Sequence, residues 1–213
     1  LNQSAARWAG KKKADEVTEA FMAMEEAFNL CYSVAGRGRV LTPHYCGVAI
    51  RYLTRPLVLK PELLTAEEEA HFLPYVFNIH VNDARQDYTN FTGTRMPPMS
   101  YRQGQDAIAM EAIQQAIGSL KKAAKVFESV DGGEEAEWFS RLALALKIRI
   151  SLLRSFHNFY CGQIIRDENA EILKGEPRIP EKDFTTYGDR GNLAWKRLLR
   201  DELDNVYELI GLL

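Results

Sequence analysis

The sequence predicts an all-α protein, a helical bundle with long antiparallel helices and one irregular polar segment. Three observations support this class. Apolar residues recur every three or four positions along several stretches, capping residues precede those stretches, and short breaks rich in Gly or Pro separate them. Because helices joined by short breaks pack as bundles, we expect residues 1–213 to form a single helical domain.

The composition indicates a globular protein without a charge bias. Hydrophobic residues make up 46% of the 213 residues and charged residues 26%, and the formal net charge is −2. This charge gives no electrostatic reason to expect a nucleic acid partner. No apolar run reaches the roughly 18 residues of a membrane-spanning helix, so no membrane insertion is expected. The 3 cysteines do not make a disulfide framework and are interpreted as small buried residues.

The N-terminal part of the chain predicts a short turn and then a long helix. The turn covers Asn2–Ala9 and ends at Gly10. The helix is expected to run from about Lys12 to Cys31. Its apolar residues alternate in steps of four and three and should share one buried face: Val17, Phe21, Met24, Phe28 and Cys31.

Two further helix starts follow. Thr42-Pro43 is typical of an N-cap with proline at the first helical position, and that helix should end before Arg55-Pro56. Thr65 and Glu68 form a capping box, which predicts a helix that Pro74 ends or kinks.

The C-terminal half predicts three long helices. Ser100 and Gln103 form a second capping box before the clearest apolar face of the chain: Met110, Ile113, Ile117, Leu120, Ala124 and Phe127. After a Gly-Gly break, a helix is expected from Glu134 as far as Leu173, with this apolar face: Trp138, Leu142, Ala145, Leu152, Phe156, Phe159 and Ile164. The last helix should bury one stripe: Trp195, Leu199, Leu203, Val206, Ile210 and Leu213.

The segment His80–Pro98 is the irregular polar exception. A compact domain rarely carries about 20 residues of weak secondary structure unless they bind something or are disordered. Its aromatic residues argue against disorder. Planar hydrogen-bonding groups beside aromatic rings suit a sugar, and they equally suit the polar rim of a protein interface. We predict a site for a carbohydrate or another polar small molecule at His80, Asn82, Asp83, Arg85, Asp87, Tyr88, Asn90 and Arg95.

Three residues of this segment raise the question of catalysis. If the segment is helical, His80, Asp83 and Asp87 share one side and would suit ligand binding or acid–base chemistry. An ion pair of Asp83 with Arg85 or Arg95 is the structural alternative. We assign no catalytic residue, and whether the chain is an enzyme stays open.

No metal or cofactor site is predicted. Glu68 and His71 have the i, i+3 spacing of di-iron bundle proteins, but such sites need a second motif of this kind, which the chain lacks. Motifs for a serine nucleophile, a zinc-protease helix or paired zinc cysteines are also missing. His157 lies on the apolar side of a helix, which is typical of a buried structural histidine.

Three stretches carry a family resemblance. RWAGKKKADEVTEAFMAMEEAF (7–28) resembles the helix after the catalytic barrel in large, mostly bacterial glycoside-hydrolase-like proteins. The stretch 112–156, from AIQQAIGSL to ISLLRSF, resembles the Ala/Leu-rich hairpin of the same C-terminal domains, as in α-glucuronidase and N-acetylglucosaminidase-like families. RPLVLKPELLTAEEEAHFLPYVF (55–77) is similar to their connecting segments.

The resemblance implies a non-catalytic accessory domain from a longer multidomain chain. In such families the catalytic carboxylates belong to the barrel, which this sequence lacks, so an upstream domain is the implied partner and a periplasmic or secreted location is implied. The polar segment would then contribute to a ligand site or a domain interface. The alternatives are a self-contained helical binding protein for a polar small molecule and an enzyme that uses His80, Asp83 and Asp87. An exposed apolar patch would favour the accessory domain, a closed pocket would favour the self-contained binding protein, and converging carboxylates would favour the enzyme.

Overall fold

The chain is all-α in the part that the computed structural model describes, which is residues 2–35, 57–60, 63–72, 99–178, 181, 184 and 195–213. These residues form seven helices and no strand, which confirms the predicted class. The helices are α1 (Asn2–Ala9), α2 (Ala14–Ala35), α3 (Ala66–Phe72), α4 (Met99–Glu128), α5 (Ala136–Glu168), α6 (Ala170–Leu173) and α7 (Trp195–Leu212). Among them, none has both the length and the apolar character needed to cross a membrane.

The chain divides into two compact units. Unit 1 comprises Leu1–Tyr45, Glu111–Arg154 and Asn205–Leu213, and unit 2 comprises Cys46–Met110 and Ser155–Asp204. Helices α4, α5 and α7 therefore each contribute residues to both units. That residues 1–213 form a single domain stays a prediction.

Unit 1 has an aromatic core. The ring centroids of Phe21 and Phe127 lie 5.0 Å apart, and those of Phe127 and Phe139 lie 5.5 Å apart. Phe127 and Phe139 are fully buried. Tilted rings at these distances stabilise the core beyond the burial of their surface, by about 0.5–1.5 kcal/mol per pair. This cluster joins α2, α4 and α5 within the unit.

The end of α1 is bonded to the turn that precedes α5. Two carbonyls of α1 accept hydrogen bonds from this turn, the Arg7 carbonyl from the Glu134 N–H at 3.3 Å and the Trp8 carbonyl from the Glu135 N–H at 3.0 Å. Gly133, in the same turn, has φ +93° and lies against the backbone of Trp8. The carbonyls that a helix end leaves open are thus satisfied by tertiary bonds.

The face predicted for α4 is confirmed. All six predicted residues are buried: Met110, Ile113, Ile117, Leu120, Ala124 and Phe127. The helix already begins at Met99, so Ser100 lies inside it and is not its N-cap, which corrects the predicted start. In α2, Val17 and Cys31 are buried as predicted, whereas Phe28 is exposed.

The predicted face of α5 is wrong by one residue in the first half of the helix. The buried residues of its first half are Phe139, Ala143, Leu146, Ile150 and Leu153. The predicted face places Trp138 and Ala145 in the core, and both are exposed. The two rows are both apolar and differ by 100° around the helix, so the pattern alone does not choose between them. Phe156 and Phe159, further along, are buried as predicted.

The predicted stripe of α7 is displaced in the same way. Trp195 is buried as expected, but the other buried residues are Leu198, Asn205 and Leu209. Leu199, Leu203 and Ile210 are exposed. The described residues therefore cover only part of the apolar side chains of α7.

Unit 2 contains the capping box that begins α3. The Thr65 N–H donates to Glu68 Oε2 at 2.9 Å, and the Glu68 N–H donates to Thr65 Oγ1 at 3.2 Å, as predicted. In the same unit α5 ends at Glu168, and Asn169 separates it from α6, so the predicted helix to Leu173 is interrupted. Gly162 lets α7 approach closely, because a Cβ there would lie 3.3 Å from Trp195 Cζ3.

Candidate functional site

The predicted ligand segment lies outside the described residues. This applies to all eight candidate residues: His80, Asn82, Asp83, Arg85, Asp87, Tyr88, Asn90 and Arg95. It also applies to Tyr75–Val81, for which the sequence suits a strand or a helix. The ligand site at these residues stays a prediction.

Unit 2 holds a cluster of polar side chains between α5 and α7, formed by Ser155, His157, Asn158, Asp201 and Glu202. Asn158 Nδ2 donates to Asp201 Oδ2 and to Glu202 Oε2, both at 2.8 Å. Ser155 Oγ donates to the other oxygen of Glu202, Oε1. Ser155, His157 and Asn158 are buried. One amide group thus donates to two carboxylates, and these bonds compensate for the cost of burying the polar groups of Asn158 and Ser155.

A cysteine adjoins this cluster. Cys161 Sγ lies 3.5 Å from His157 Nε2, and His157 Nδ1 lies 3.5 Å from Asn158 Oδ1. Cysteine and histidine in contact are the groups of a thiol nucleophile. Here both side chains are buried, which is typical of a structural cysteine, whereas reactive cysteines are partly exposed. His157 is a buried histidine with polar contacts, as predicted.

The sequence reasoning missed this cluster because it followed the apolar residues alone. Ser155 and Asn158 lie three residues apart on α5, and Asp201 and Glu202 follow each other on α7. Polar residues at i, i+3 spacing within an apolar helix are the signal that predicts a buried polar contact. The spacing does not predict which residues of α7 these side chains contact.

Glu68 has structural partners and no metal partner set. Besides capping α3, its carboxylate forms an ion pair with Arg178 in the same unit. The hydrogen bond from the Thr65 N–H, followed by the bond from Arg178, lowers the pKa of Glu68. Within the described ranges, no three His, Cys, Asp or Glu side chains are grouped so that they could hold a metal ion.

Cys31 in unit 1 is likewise structural. Burial raises the pKa of its thiol, and the positive charge of Arg149 opposes that effect only in part. A raised pKa keeps the thiol protonated at neutral pH, and the protonated form is a poor nucleophile. The buried state predicted for the cysteines is confirmed for Cys31 and Cys161. Cys46 lies outside the described residues.

An open apolar surface is present on α7. We call Leu199, Leu203, Tyr207 and Ile210 the α7 row, since they follow each other in steps of four, four and three on one side of the helix. Their exposed fractions run from 39% to 65%. Single exposed apolar residues are ordinary, but a continuous row of large ones marks a surface on which another molecule or domain packs.

The chain has no match among protein-family models, curated protein sequences or solved structures.

Proposed function

We propose that this chain is a non-catalytic helical accessory domain of a carbohydrate-active, glycoside-hydrolase-like protein. In this proposal the α7 row packs against the catalytic domain of that protein, and the segment of His80–Arg95 contributes to a ligand site or to the same domain interface. The observation that carries the proposal is the open α7 row, since an exposed apolar patch is what a docking domain requires.

The size of the row is consistent with an interface between domains. Complete burial of one large apolar side chain contributes about 1.5–3 kcal/mol, so covering the exposed half of four such side chains contributes about 3–6 kcal/mol. An interface between domains of one chain persists with a lower contact energy than an interface between separate proteins, because the covalent link replaces part of the entropic cost of association.

The polar groups of unit 2 support a non-catalytic role. The carboxylates of Asp201 and Glu202 accept hydrogen bonds from Asn158 and Ser155, and the Glu68 carboxylate caps a helix. Carboxylates held in this way stabilise helix contacts. An acid–base pair of a glycosidase instead faces a substrate cleft from two sides.

Two measurements test the proposal. The first is hydrolysis of a panel of p-nitrophenyl glycosides and glucuronides by the purified chain, and we expect release of nitrophenol at the buffer rate. Hydrolysis above that rate, abolished by Asp83→Ala or Asp87→Ala, would overturn the non-catalytic role and favour the enzyme alternative.

The second measurement tests whether the α7 row is open. The neutral dye Nile red should bind the chain, and Leu203→Gln with Ile210→Gln should lower that binding while the helical circular dichroism is kept. Arg197→Gln is the matched control, because Arg197 is exposed on the same helix but outside the row. Equal dye binding by all three proteins would show that the row is not the open surface.

A further inference from the structure

Trp138 is an exposed aromatic residue at the edge of the aromatic core of unit 1. It lies on α5 and is 46% exposed, although tryptophan is on average strongly buried. Its ring is held by two neighbours, Phe139 at 5.1 Å with the planes at 73° and Phe21 at 6.3 Å with the planes at 32°. The indole is thus an exposed apolar surface with a defined orientation on a regular helix.

Charged residues lie close to Trp138 along α5. Glu137 precedes Trp138, and Arg141 lies three residues further along the same side of α5. Arg141 Nη2 is 2.5 Å from Glu137 Oε1, and the two side chains are 76% and 80% exposed. Such an exposed ion pair contributes at most about 1 kcal/mol, so its donors and acceptors are available to a ligand at low cost.

The charged residues close to Trp138 in the sequence are three carboxylates and one guanidinium group, on Glu134, Glu135, Glu137 and Arg141. Arg141 is paired with Glu137, and nearby in the chain Arg7 Nε lies 3.7 Å from Glu134 Oε2. Glu135 adds one carboxylate to these two pairs, so the local charge is slightly negative and an uncharged polar ligand suits the surface better than an anion.

The extent of the apolar surface also limits the ligand. Stable protein interfaces bury about 800 Å² on each partner and have several apolar side chains at their centre. On this side of α5 and of the turn before it, the described residues three to seven positions from Trp138 are instead Glu134, Glu135, Arg141, the half-buried Leu142 and the small Ala145. One flat indole within a polar border matches one sugar ring, which has an apolar face and a rim of hydroxyl groups.

We propose that Trp138, Glu137 and Arg141 form a stacking site for one pyranose ring of a neutral saccharide. The indole covers the apolar face of the ring, the Arg141 guanidinium donates to ring hydroxyl oxygens, and the Glu137 carboxylate accepts from ring hydroxyl groups. The site is separate from the His80–Arg95 segment. It rests on the carbohydrate-related function proposed above and specifies the class of ligand.

The experiment is a titration of the whole chain with cellohexaose, xylohexaose and chitohexaose, followed by isothermal calorimetry and by tryptophan fluorescence. We expect at least one hexasaccharide to bind saturably. Trp138→Ala should weaken it about tenfold or more, because the stacked ring loses its partner. Trp138→Tyr should restore part of the affinity, and Arg141→Ala should weaken binding while leaving the circular dichroism unchanged.

Two control variants separate this site from the others. Trp8→Phe changes a tryptophan of the same unit outside the site and should leave the affinity unchanged, whereas Asp83→Ala removes a carboxylate of the predicted segment. No binding of any hexasaccharide, or binding that is lost in Asp83→Ala but kept in Trp138→Ala, would overturn the stacking site. The hydrolysis and dye measurements do not involve Trp138, so they report on the proposed function independently of this result.

Discussion

Gly133 provides the sharpest test of the contact between α1 and the turn before α5. Its φ is +93°, and a Cβ at this position would collide with the Trp8 carbonyl oxygen and lie 2.6 Å from the Trp8 carbonyl carbon. Gly133→Ala therefore meets two separate obstacles, an unfavourable backbone angle and a collision with backbone atoms. The flexible end of a side chain would move aside, but the backbone of a helix end cannot do so cheaply.

The magnitude follows from these two effects. The left-handed backbone region costs a residue with a Cβ about 1–2 kcal/mol. Relief of the collision requires the turn to move away from α1, which stretches the hydrogen bonds from Glu134 and Glu135 to the α1 carbonyls. Each bond contributes about 0.5–1.5 kcal/mol. Together we expect Gly133→Ala to lower the free energy of unfolding by about 2–5 kcal/mol.

Two other glycines allow the backbone cost and the cost of the collision to be measured separately. Gly10 has φ +81° with no atom within 4 Å of the position that a Cβ would take, so Gly10→Ala should show the backbone cost alone, about 1–2 kcal/mol. Gly132 has neither obstacle, so Gly132→Ala should be close to neutral. Urea denaturation followed by circular dichroism at 222 nm measures all three variants. Equal free energies of unfolding for Gly133→Ala and Gly132→Ala would refute the reasoning.

Three further predictions concern pH, a polar contact and the core. The lowered pKa of Glu68 means that its contribution to stability is complete above the ordinary value of 4.5 and declines as the pH falls below it. Glu68→Gln should remove this part of the pH dependence of the melting temperature, whereas Glu67→Gln should leave it in place. Asn158→Leu should cost about 1–3 kcal/mol in urea denaturation, because two carboxylates lose their shared donor, and an unchanged midpoint would contradict that role. Phe127→Ala should cost about 3–5 kcal/mol, and a loss below about 1 kcal/mol would show that the aromatic core of unit 1 is not packed as described.

The local signals of the sequence predicted local structure well. The Thr65–Glu68 capping box forms with both of its hydrogen bonds, and the predicted break at Gly10 separates α1 from α2. The short turn predicted for Asn2–Ala9 is wrong, because these residues form the helix α1. The capping box and the break involve residues within one turn of one another, so their energies do not depend on the rest of the fold. The face of α4 was also predictable, because most of its large apolar residues lie in one row and the adjacent buried positions are alanines, Ala116 and Ala123.

The candidate sites were predictable only in part. The polar segment around Asp83 and Tyr88 is visible as a break in the helical pattern, and its role stays a prediction. The polar cluster joins residues that are distant in the sequence, since Asn158 and Asp201 lie 43 positions apart. The spacing of residues along one helix cannot predict which residues of another helix they contact. The exposure of Trp138 was hidden because the sequence pattern placed it in the core.

By itself the sequence determined that the chain is helical, where several helices begin, and which residue types were available for a core. Only the tertiary structure decided which of two adjacent apolar rows is buried on α5 and α7. On α5 the buried row starts at Phe139 and the exposed residue is Trp138, and on α7 Leu198 is buried while Leu199 is exposed. Neighbouring residues differ by 100° around a helix, so where both are apolar the periodicity is satisfied by either. The rotation of the helix is then set by the side chains packed against it, and the row left outside becomes the surface available for function.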